Sequence, residues 1–334
     1  MVSVVIPVYN GEAYLRECLE SISSQTYRDL EILVIDDGSS DASAQIAEER
    51  EKTDCRVKLI RQKHFGVSAA RNCGIEKSKG EYVLFCDCDD ILRKDGILSL
   101  LEAMERTGAD IAIGNYIYLL DYYRKLEKPS QWLEDKTYVE KERYGCIHFN
   151  CILGNKLFKK SFLENNRLCF GPYHMGEDLC FYHRSLAAAE IIATISRCTY
   201  VYRLHEGSTS YTYSLRDLDY IPVFREIEAL YKSRPETAEW VNELLYDRLF
   251  YYLRTLKRLP RFKNKKNRKK VMEAYIHEVE TLNLTSAKHR KEIMKLANQI
   301  LFIKKWRKVY ESNLFAMCYQ AVRFCGRWVK KVIK

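Results

Sequence analysis

About ninety residues at the start of the chain alternate between short apolar runs and amphipathic segments. The apolar runs, at residues 4–6, 32–35, 57–60 and 82–85, have the length and the β-branched or aromatic content of buried strands. Between them, apolar residues recur at helical spacing; the first set is Leu15, Cys18, Leu19 and Ile22. Strands that alternate with helices form parallel pairs, because each helix carries the chain back across the sheet. The sequence therefore predicts an α/β fold with a doubly wound, mostly parallel sheet.

Two acidic phrases directly follow two of these strands: Asp36-Asp37-Gly38-Ser39 and Asp87-Cys88-Asp89-Asp90. The carboxyl ends of parallel strands share one edge of a sheet, and open α/β sheets bind their ligands there. In the second phrase the alternation of a strand places Asp87 and Asp89 on one face, with Cys86 and Cys88 on the other. Two carboxylates on one face suit a hard divalent cation, which neutralises their repulsion. The alternative for either phrase alone is a polar turn rich in Asp and Gly.

Charge divides the 334-residue chain unevenly. Residues 1–215 contain 27 Lys and Arg against 32 Asp and Glu, whereas residues 216–334 contain 28 against 13. The net charges of −5 and +15 indicate that the two parts differ in partner or role. From about residue 215 onward the pattern is helical with few glycines. We therefore predict an α/β domain over residues 1–214 and a helical, basic C-terminal region over residues 215–334.

The chain has 12 cysteines, which are scattered without paired spacing, and it shows no signal-peptide pattern. This distribution favours a reducing, cytoplasmic setting over a disulfide framework. No apolar stretch approaches the roughly 20 residues that a membrane-spanning helix needs. We therefore expect no spanning segment.

Six phrases, taken in chain order, resemble the family 2 glycosyltransferases, which are inverting enzymes of the GT-A fold. They are Val4-Val5-Ile6-Pro7-Val8-Tyr9-Asn10, Ile35-Asp36-Asp37-Gly38-Ser39-Ser40-Asp41, Gly66-Val67-Ser68-Ala69-Ala70-Arg71-Asn72, Asp87-x-Asp89-Asp90, Glu177-Asp178 and Tyr202-Arg203-x-His205. Each phrase alone is weak, but six in the family's order make chance agreement improbable. The resemblance implies a Rossmann-like half over residues 1–120 that binds a nucleotide-sugar, and an acceptor side over residues 121–214.

The resemblance also implies the reaction. A sugar would move from a nucleotide-sugar, expected to be a UDP-sugar, to a hydroxyl of a glycan or lipid-linked acceptor, as in bacterial cell-surface polysaccharide synthesis. The chain lacks the Q-x-x-R-W phrase of processive members of the family. This absence favours the addition of a single sugar per encounter.

The metal residues are assigned from the same resemblance. Asp89 would bind Mg²⁺ or Mn²⁺ directly, and Asp87 would contact the ribose or a metal-bound water. A bound cation stabilises the negative charge that develops on the diphosphate leaving group. His205 is a further candidate ligand, and its imidazole would favour Mn²⁺. The alternative for His205 is a structural histidine beside a strand.

The uridine residues lie in the first two phrases. The resemblance assigns the uracil imide N–H to the carboxylate of Asp37, with Asp36 as the alternative acceptor. Pro7 and Tyr9 are expected to wall the base, because an aromatic ring offers a stacking face.

Arg71 lies near the predicted start of a helix. The resemblance implies that it meets the nucleotide or steadies the carboxylates. The alternative is a surface charge at the helix start, where the macrodipole disfavours a cation.

The acceptor side is assigned from two phrases. The resemblance gives the role of general base to Asp178, with Glu177 as a partner that orients the acceptor or raises the pKa of the base by its like charge. The alternative is that these acids cap a helix beginning near Leu179. Lys156 is placed on the acceptor side without a reaction role, and a structural ion pair is the alternative.

The C-terminal part has two basic features. Residues 257–270 carry nine Lys or Arg and no acid, and a helix over about residues 314–333 would have an apolar face opposite a cationic one. Such a helix suits peripheral contact with an anionic membrane, expected here at the inner face of the cell membrane. The alternative is a terminal helix that docks on the catalytic domain.

Two other classes of protein remain open at this point. A nucleic-acid-binding protein could use the basic region, but no nucleic-acid motif supports that hypothesis, and no nucleic-acid partner is expected. A nucleotidyltransferase of the same fold could use paired carboxylates and a metal. Such enzymes usually open with a basic, Gly-rich loop, whereas residues 3–11 contain one glycine and no Lys or Arg.

Overall fold

The computed structural model describes residues 1–121, 125–129, 131–206, 208, 213–259, 262, 264–282 and 295–300. The chain divides into two compact units, Met1–Ser208 and Thr209–Lys334. The predicted boundary lies a few residues later, after residue 214. The separate functions assigned to residues 1–120, 121–214 and 215–334 stay predictions.

The described residues of the first unit form a ten-stranded sheet. Its strands are β1 Val2–Val8, β2 Leu30–Asp36, β3 Val57–Arg61, β4 Tyr82–Phe85, β5 Ile91–Leu92, β6 Ile111–Leu120, β7 Lys125–Glu127, β8 Lys136–Val139, β9 Lys156–Lys159 and β10 Ile191–Leu204. They lie in the order β3-β2-β1-β4-β9-β6-β10-β5, with β7 paired to β6 and β8 paired to β10. Strands β1 to β4, β6 and β10 run in one direction, and the short strands β5, β7, β8 and β9 run against them. The predicted mostly parallel α/β sheet is confirmed.

Helices connect the parallel strands. They are α1 Leu15–Ser23, α2 Ser43–Thr53, α3 Val67–Lys77, α4 Gly96–Thr107, α5 Lys160–Asn165 and α6 Glu177–Ala188, with a 3₁₀ helix over Glu140–Cys146. Helix α1 buries the apolar stripe that the spacing predicts, Leu15, Cys18, Leu19 and Ile22. That stripe joins the core formed by the central strands, where Val4, Ile6 and Ile32 are fully buried. Burial of an apolar face against the sheet supplies most of the stability of such helices.

The strand order reverses beside β1. The chain runs from β1 to β2 and β3 on one side, and then returns to place β4 on the other side of β1. The carboxyl ends of β1 and β4 therefore mark the switch point of the sheet. Open α/β sheets bind ligands at this switch point. The acidic phrases after β2 and β4 both lie at this edge.

Strand β4 ends at Phe85, before the second acidic phrase begins. Residues 87–90 form a turn in which the N–H of Asp90 donates to the carbonyl oxygen of Asp87 at 3.1 Å. The expectation that strand alternation places Asp87 and Asp89 on one face is therefore wrong. The positions of Asp87 and Asp89 depend instead on the side chains that contact this turn.

The β-branched and aromatic residues over 199–203 predict a short strand, and strand β10 is longer than that prediction. It begins at Ile191, and its register against β6 shifts between Thr194 and Tyr200. These irregularities break the period-two pattern that a sequence reading depends on. Strand β10 runs parallel to β6 and ends at Leu204, so the next residue, His205, lies at the carboxyl ends of the parallel strands.

The described part of the second unit is helical. It comprises α7 Tyr220–Lys232, α8 Val241–Leu256 and α9 Lys265–Thr281, with 3₁₀ helices over Leu215–Asp219 and Pro235–Trp240. Arg248 and Glu278 form a buried ion pair between α8 and α9, and Arg248 also binds Glu228 of α7 at 3.0 Å. These contacts join the three helices.

The basic stretch over residues 257–270 is only partly described. On α9, Lys265, Lys266, Lys269 and Lys270 are exposed, whereas Arg268 is buried. The amphipathic helix expected over residues 314–333 lies outside the described residues. None of the helices in the described part of the chain combines the length and the hydropathy needed to cross a bilayer.

Helix α3 packs closely on β1 at Gly74. A Cβ built on Gly74 would lie 2.1 Å from Cγ1 of Val5, so there is no room for even a methyl group. We expect Gly74→Ala to lower the free energy of unfolding by about 2 kcal/mol, because overpacking outweighs the ~1 kcal/mol gain in helix propensity. Urea denaturation measures the loss. The control is Glu76→Ala in the same helix. The Glu76 side chain is 74% exposed, so this variant should have the same urea midpoint of unfolding as the wild type. Equal midpoints for the two variants would contradict this packing argument.

Candidate active site

The carboxyl edge of the sheet brings several of the predicted site residues into contact with a partner. Asp89 meets His205 after β10, and Asp87 is joined through Arg71 to Glu177. These residues come from segments far apart in the chain. Each meets its partner because parallel strands end at a common edge.

Arg71 is buried on the first turns of α3. Its guanidinium donates from Nη2 to Oδ1 of Asp87 at 2.8 Å and from Nη1 to Oε1 of Glu177 at 3.0 Å. It also lies over the ring of Phe170, 5.3 Å from the ring centroid. Burial by itself lowers the pKa of Arg71, but the charges of Asp87 and Glu177 outweigh burial and raise it. Arg71 is thus not a surface charge, and it ties the acid after β4 to the start of α6.

Asp178 is the second residue of α6, next to Glu177. Burial and the charge of Glu177 raise the pKa of Asp178 to about 7, against the opposing influence of Arg71. Its Oδ1 accepts the backbone N–H of Leu179 at 2.7 Å, so the carboxyl group also contacts the first turn of the helix. A carboxyl group that titrates near neutral pH can take up a proton from a substrate and release it again.

Asp89 and His205 form the pair predicted to bind metal. Nε2 of His205 lies 2.9 Å from Oδ2 of Asp89, and the ring of Tyr14 packs on the imidazole with centroids 4.4 Å apart. Because a carboxylate only accepts, Nε2 of His205 is the donor in this contact, and it would bind an ion only after losing that proton. A carboxylate suits Mn²⁺ or Mg²⁺, and an added imidazole would favour Mn²⁺. No group of three or more potential protein ligands occurs among the described residues.

Arg203 organises the turn that carries Asp89, and sequence reasoning assigned it no role. Its Nε donates to the carbonyl oxygen of Asp89 at 2.7 Å, and its backbone N–H donates to Oδ1 of Asp90 at 2.7 Å. Its Nη1 and Nη2 bind Asp121 and Glu17. The signal for Arg203 was its place in the phrase before His205. Glu17 and Asp121 gave no signal, because neither lies in a phrase of the site.

Asp90 is the buried end of the same turn. The hydroxyl of Tyr200 donates to its Oδ2 at 2.6 Å. Burial, together with the charges of Asp89 and Asp87, raises the pKa of Asp90 well above its usual range. Asp90 therefore holds the turn against β10 and leaves Asp89 to face the site.

Asp37 is buried and accepts hydrogen bonds from the loop between β3 and α3. Its Oδ1 accepts from Nε2 of Gln62 at 2.6 Å and from the N–H of Phe65 at 2.9 Å. Its Oδ2 accepts from the N–H of Gly66 at 2.8 Å, and Nδ1 of His64 lies 2.9 Å away. Asp37 thus fixes the loop that starts α3.

The other predicted uridine residues lie around Asp37. Asp36 accepts the N–H of Ser39 at 3.2 Å and closes its own turn. Pro7 is buried in β1, whereas Tyr9 is 49% exposed and its ring stacks on that of His64. The exposed part of the Tyr9 ring can still stack on a base, and the role of Pro7 in walling the base stays a prediction.

Lys156 is fully buried at the start of β9. Its Nζ donates to the carbonyl oxygens of Asn150 and Ile152, both at 2.6 Å, and to Oδ1 of Asn155 at 2.9 Å. Burial lowers the pKa of Lys156 to about 8. These partners are neutral oxygens, whereas the structural alternative expected from sequence was an ion pair. The placement of Lys156 on the acceptor side stays a prediction.

Comparison with known proteins identifies the family. The Glycosyl transferase family 2 model matches residues 3–167. EpsH of Bacillus subtilis (strain 168) is 33% identical over 73% of this chain and 70% of EpsH. GlyA of Streptococcus pneumoniae serotype 4 (strain ATCC BAA-334 / TIGR4) is 34% identical over 63% of this chain but only 31% of GlyA, so the chain spans about a third of that relative. This chain belongs to glycosyltransferase family 2, and it is a glycosyltransferase of the EC 2.4 class.

A solved structure agrees on the fold. The crystal structure of Staphylococcus aureus TarS 1–349 in complex with UDP-GlcNAc superposes with a TM-score of 0.68 at 21% identity, covering 92% of this chain and 91% of that one. The fold is therefore GT-A, as the resemblance implied.

Glu177 should control the proton affinity of Asp178. Glu177→Gln removes a like charge and frees Arg71, and both changes should lower the pKa of Asp178 below about 7. The pH titration of the Asp178 carboxyl ¹³C shift measures this. The control, Glu164→Gln on the exposed side of α5, should leave the titration unchanged. A titration midpoint that stays near 7 in Glu177→Gln would show that burial alone sets it.

Proposed function

We propose that this glycosyltransferase moves a sugar from a UDP-sugar to a hydroxyl of a glycan or lipid-linked acceptor, with inversion and with the help of a divalent cation. The observation that carries the proposal is the linked arrangement at the carboxyl edge. A candidate metal pair, Asp89 and His205, lies at the same edge as an acid that titrates near neutral pH, Asp178. Arg71 bridges Asp87, which lies shortly before Asp89 in the chain, and Glu177, which directly precedes Asp178.

The donor is proposed to be a UDP-sugar. Tyr9 has a partly exposed ring that already stacks on His64, and Asp37 has a buried carboxylate that accepts N–H donors, which is the contact an imide N–H would make. TarS, which shares the fold, was crystallised with UDP-GlcNAc, and this supports a uridine nucleotide as donor. Asp87, held by Arg71, is left for the ribose or a metal-bound water.

The cation is proposed to be Mn²⁺ or Mg²⁺, held by Asp89 and His205. Glycosyltransferases of this fold commonly use such an ion. When bound, it would stabilise the negative charge that develops on the diphosphate as UDP departs. The residues around the pair keep it in place: Arg203 holds the backbone of Asp89, and Tyr14 packs on His205.

Asp178 is proposed as the general base. The acceptor hydroxyl oxygen attacks the anomeric carbon, its proton passes to the Asp178 carboxylate, and the bond from the anomeric carbon to the diphosphate oxygen breaks to release UDP. A single displacement of this kind inverts the anomeric centre. An ordinary aspartate would be a weak base, so the raised pKa of Asp178 increases its affinity for the transferred proton.

The acceptor is proposed from the resemblance to the family. Glu177 and Lys156 are proposed to lie on the acceptor side of the site. The proposed peripheral contact with an anionic membrane depends on residues 314–333, which lie outside the described residues. Family membership decides against the nucleic-acid-binding and nucleotidyltransferase hypotheses, and the release of UDP from a UDP-sugar, without pyrophosphate from UTP, tests that decision.

Asp89→Asn removes a charged ligand from the proposed metal pair. We expect turnover to fall by about a hundredfold or more, because several kcal/mol of charge stabilisation are lost in the transition state. Metal-dependent release of UDP from a UDP-sugar measures it. The control is Asp95→Asn, since Asp95 pairs with Arg197 away from the site and its loss should leave turnover unchanged. Near-normal turnover in Asp89→Asn, or full wild-type activity in excess EDTA, would exclude the metal assignment.

Asp178→Asn removes the proposed base without removing its volume. We expect transfer to fall by about a hundredfold or more while UDP affinity stays near the wild-type value. In the wild type, kcat/KM should rise with pH through about 7, since the base must be deprotonated and its pKa is raised to about 7. If Glu177→Gln abolishes transfer and Asp178→Asn does not, the base is Glu177. If both variants transfer normally, neither acid is the base.

A further inference from the structure

His64 lies where two groups that could recognise a base converge. Its ring stacks on Tyr9 with centroids 4.0 Å apart and planes inclined by 23°. Its Nδ1 lies 2.9 Å from Oδ2 of Asp37. The side chain of His64 is 56% exposed, whereas that of Asp37 is 3% exposed. An exposed ring thus covers one face of Tyr9 and at the same time contacts a buried carboxylate.

The acceptor positions of Asp37 are filled or covered. A carboxylate has about four acceptor sites, and that of Asp37 accepts hydrogen bonds from Gln62, Phe65 and Gly66. Phe65 and Gly66 donate backbone N–H groups at the start of α3, so they cannot leave without disrupting the helix start. His64 covers the remaining side of the carboxylate: its Nδ1 lies 2.9 Å from Oδ2 and is hydrogen-bonded to the backbone carbonyl oxygen of Asp37 at 3.2 Å. An additional N–H can reach Asp37 only if a side chain gives up its place.

Gln62 and His64 are the two side chains that could give way, and only His64 also covers Tyr9. The uracil ring has the same two features that His64 uses here: a flat ring that stacks and a ring N–H that donates. Withdrawal of His64 would free an acceptor site on Asp37 and a face of Tyr9 together. Withdrawal of Gln62 would free an acceptor site only.

We infer that His64 occupies the place of the nucleobase in the donor-free protein and is displaced when the donor binds. The inference rests on the proposed function, in which Asp37 and Tyr9 receive uracil. Because His64 and the base compete for the same contacts, His64 weakens the apparent affinity for the uridine nucleotide by the fraction of protein in which it is in place. His64 thereby sets how tightly the donor is held and how readily UDP leaves.

The test compares UDP and inorganic pyrophosphate as ligands, each titrated calorimetrically at one fixed MgCl₂ concentration. His64→Ala should bind UDP about threefold tighter or more, because the competing ring is gone. Its affinity for pyrophosphate should equal that of the wild type, because pyrophosphate has no base. Gln62→Ala is the matched control, and its affinity for UDP should not rise. Melting temperatures confirm that each variant is folded.

Each outcome has a defined meaning. Unchanged UDP binding in His64→Ala would overturn the inference. Weaker UDP binding would also overturn it, because it would show that His64 holds the base. Equal tightening in Gln62→Ala would also overturn it, since the free acceptor site alone would then explain the gain. Asp37→Asn tests the proposed function separately. If its UDP affinity equals that of the wild type, the uracil site itself is misplaced, whereas a loss in Asp37→Asn without a gain in His64→Ala refutes only the role of His64.

Discussion

The neutralisation of carboxylates at one edge of the sheet is the interaction on which the site depends. Like charges gathered within a few ångströms repel one another strongly when partly shielded from water. Two buried arginines, Arg71 and Arg203, offset this repulsion. Between them they bind the side chains of Asp87, Glu177, Asp121 and Glu17. Each arginine also joins segments distant in the chain, so charge balance and the shape of the site arise from the same contacts.

The two arginines leave the acids of the site in different states. Asp87 and Glu177 form ion pairs with Arg71, whereas Asp178 accepts a backbone N–H and is shifted to a pKa of about 7 by burial and its neighbour. Asp89 is held through its carbonyl oxygen, and its carboxylate stays directed at His205. Neighbouring acids of the same chemical type thus differ in proton affinity because their partners differ. This difference is what the proposed base and the proposed metal ligand would require.

Much of the nucleotide half could be predicted because its signals are local. The strand over residues 82–85 and the apolar stripe of α1 coincide with the structure, since the first is marked by a continuous apolar run and the second by helical spacing. The turn after Phe85 was mistaken for continued strand, because an Asp-rich segment carries no apolar alternation to mark where pairing stops. Strand β10 was underestimated because its register shifts hide the period of two.

The sequence by itself determined the class of fold, the family and the edge at which the acids gather. These follow from local signals: the alternation of strands with helices and the acidic phrases that follow two of the strands. Only the tertiary structure decided which acid meets which cation. Arg203 binds Glu17 and Asp121, and His64 covers Tyr9 beside Asp37, although no phrase links these residues. Lys156 likewise proves to be buried among neutral oxygens. Such pairings depend on the distance between segments that are remote in sequence, and that distance is fixed only when the sheet and its loops are assembled.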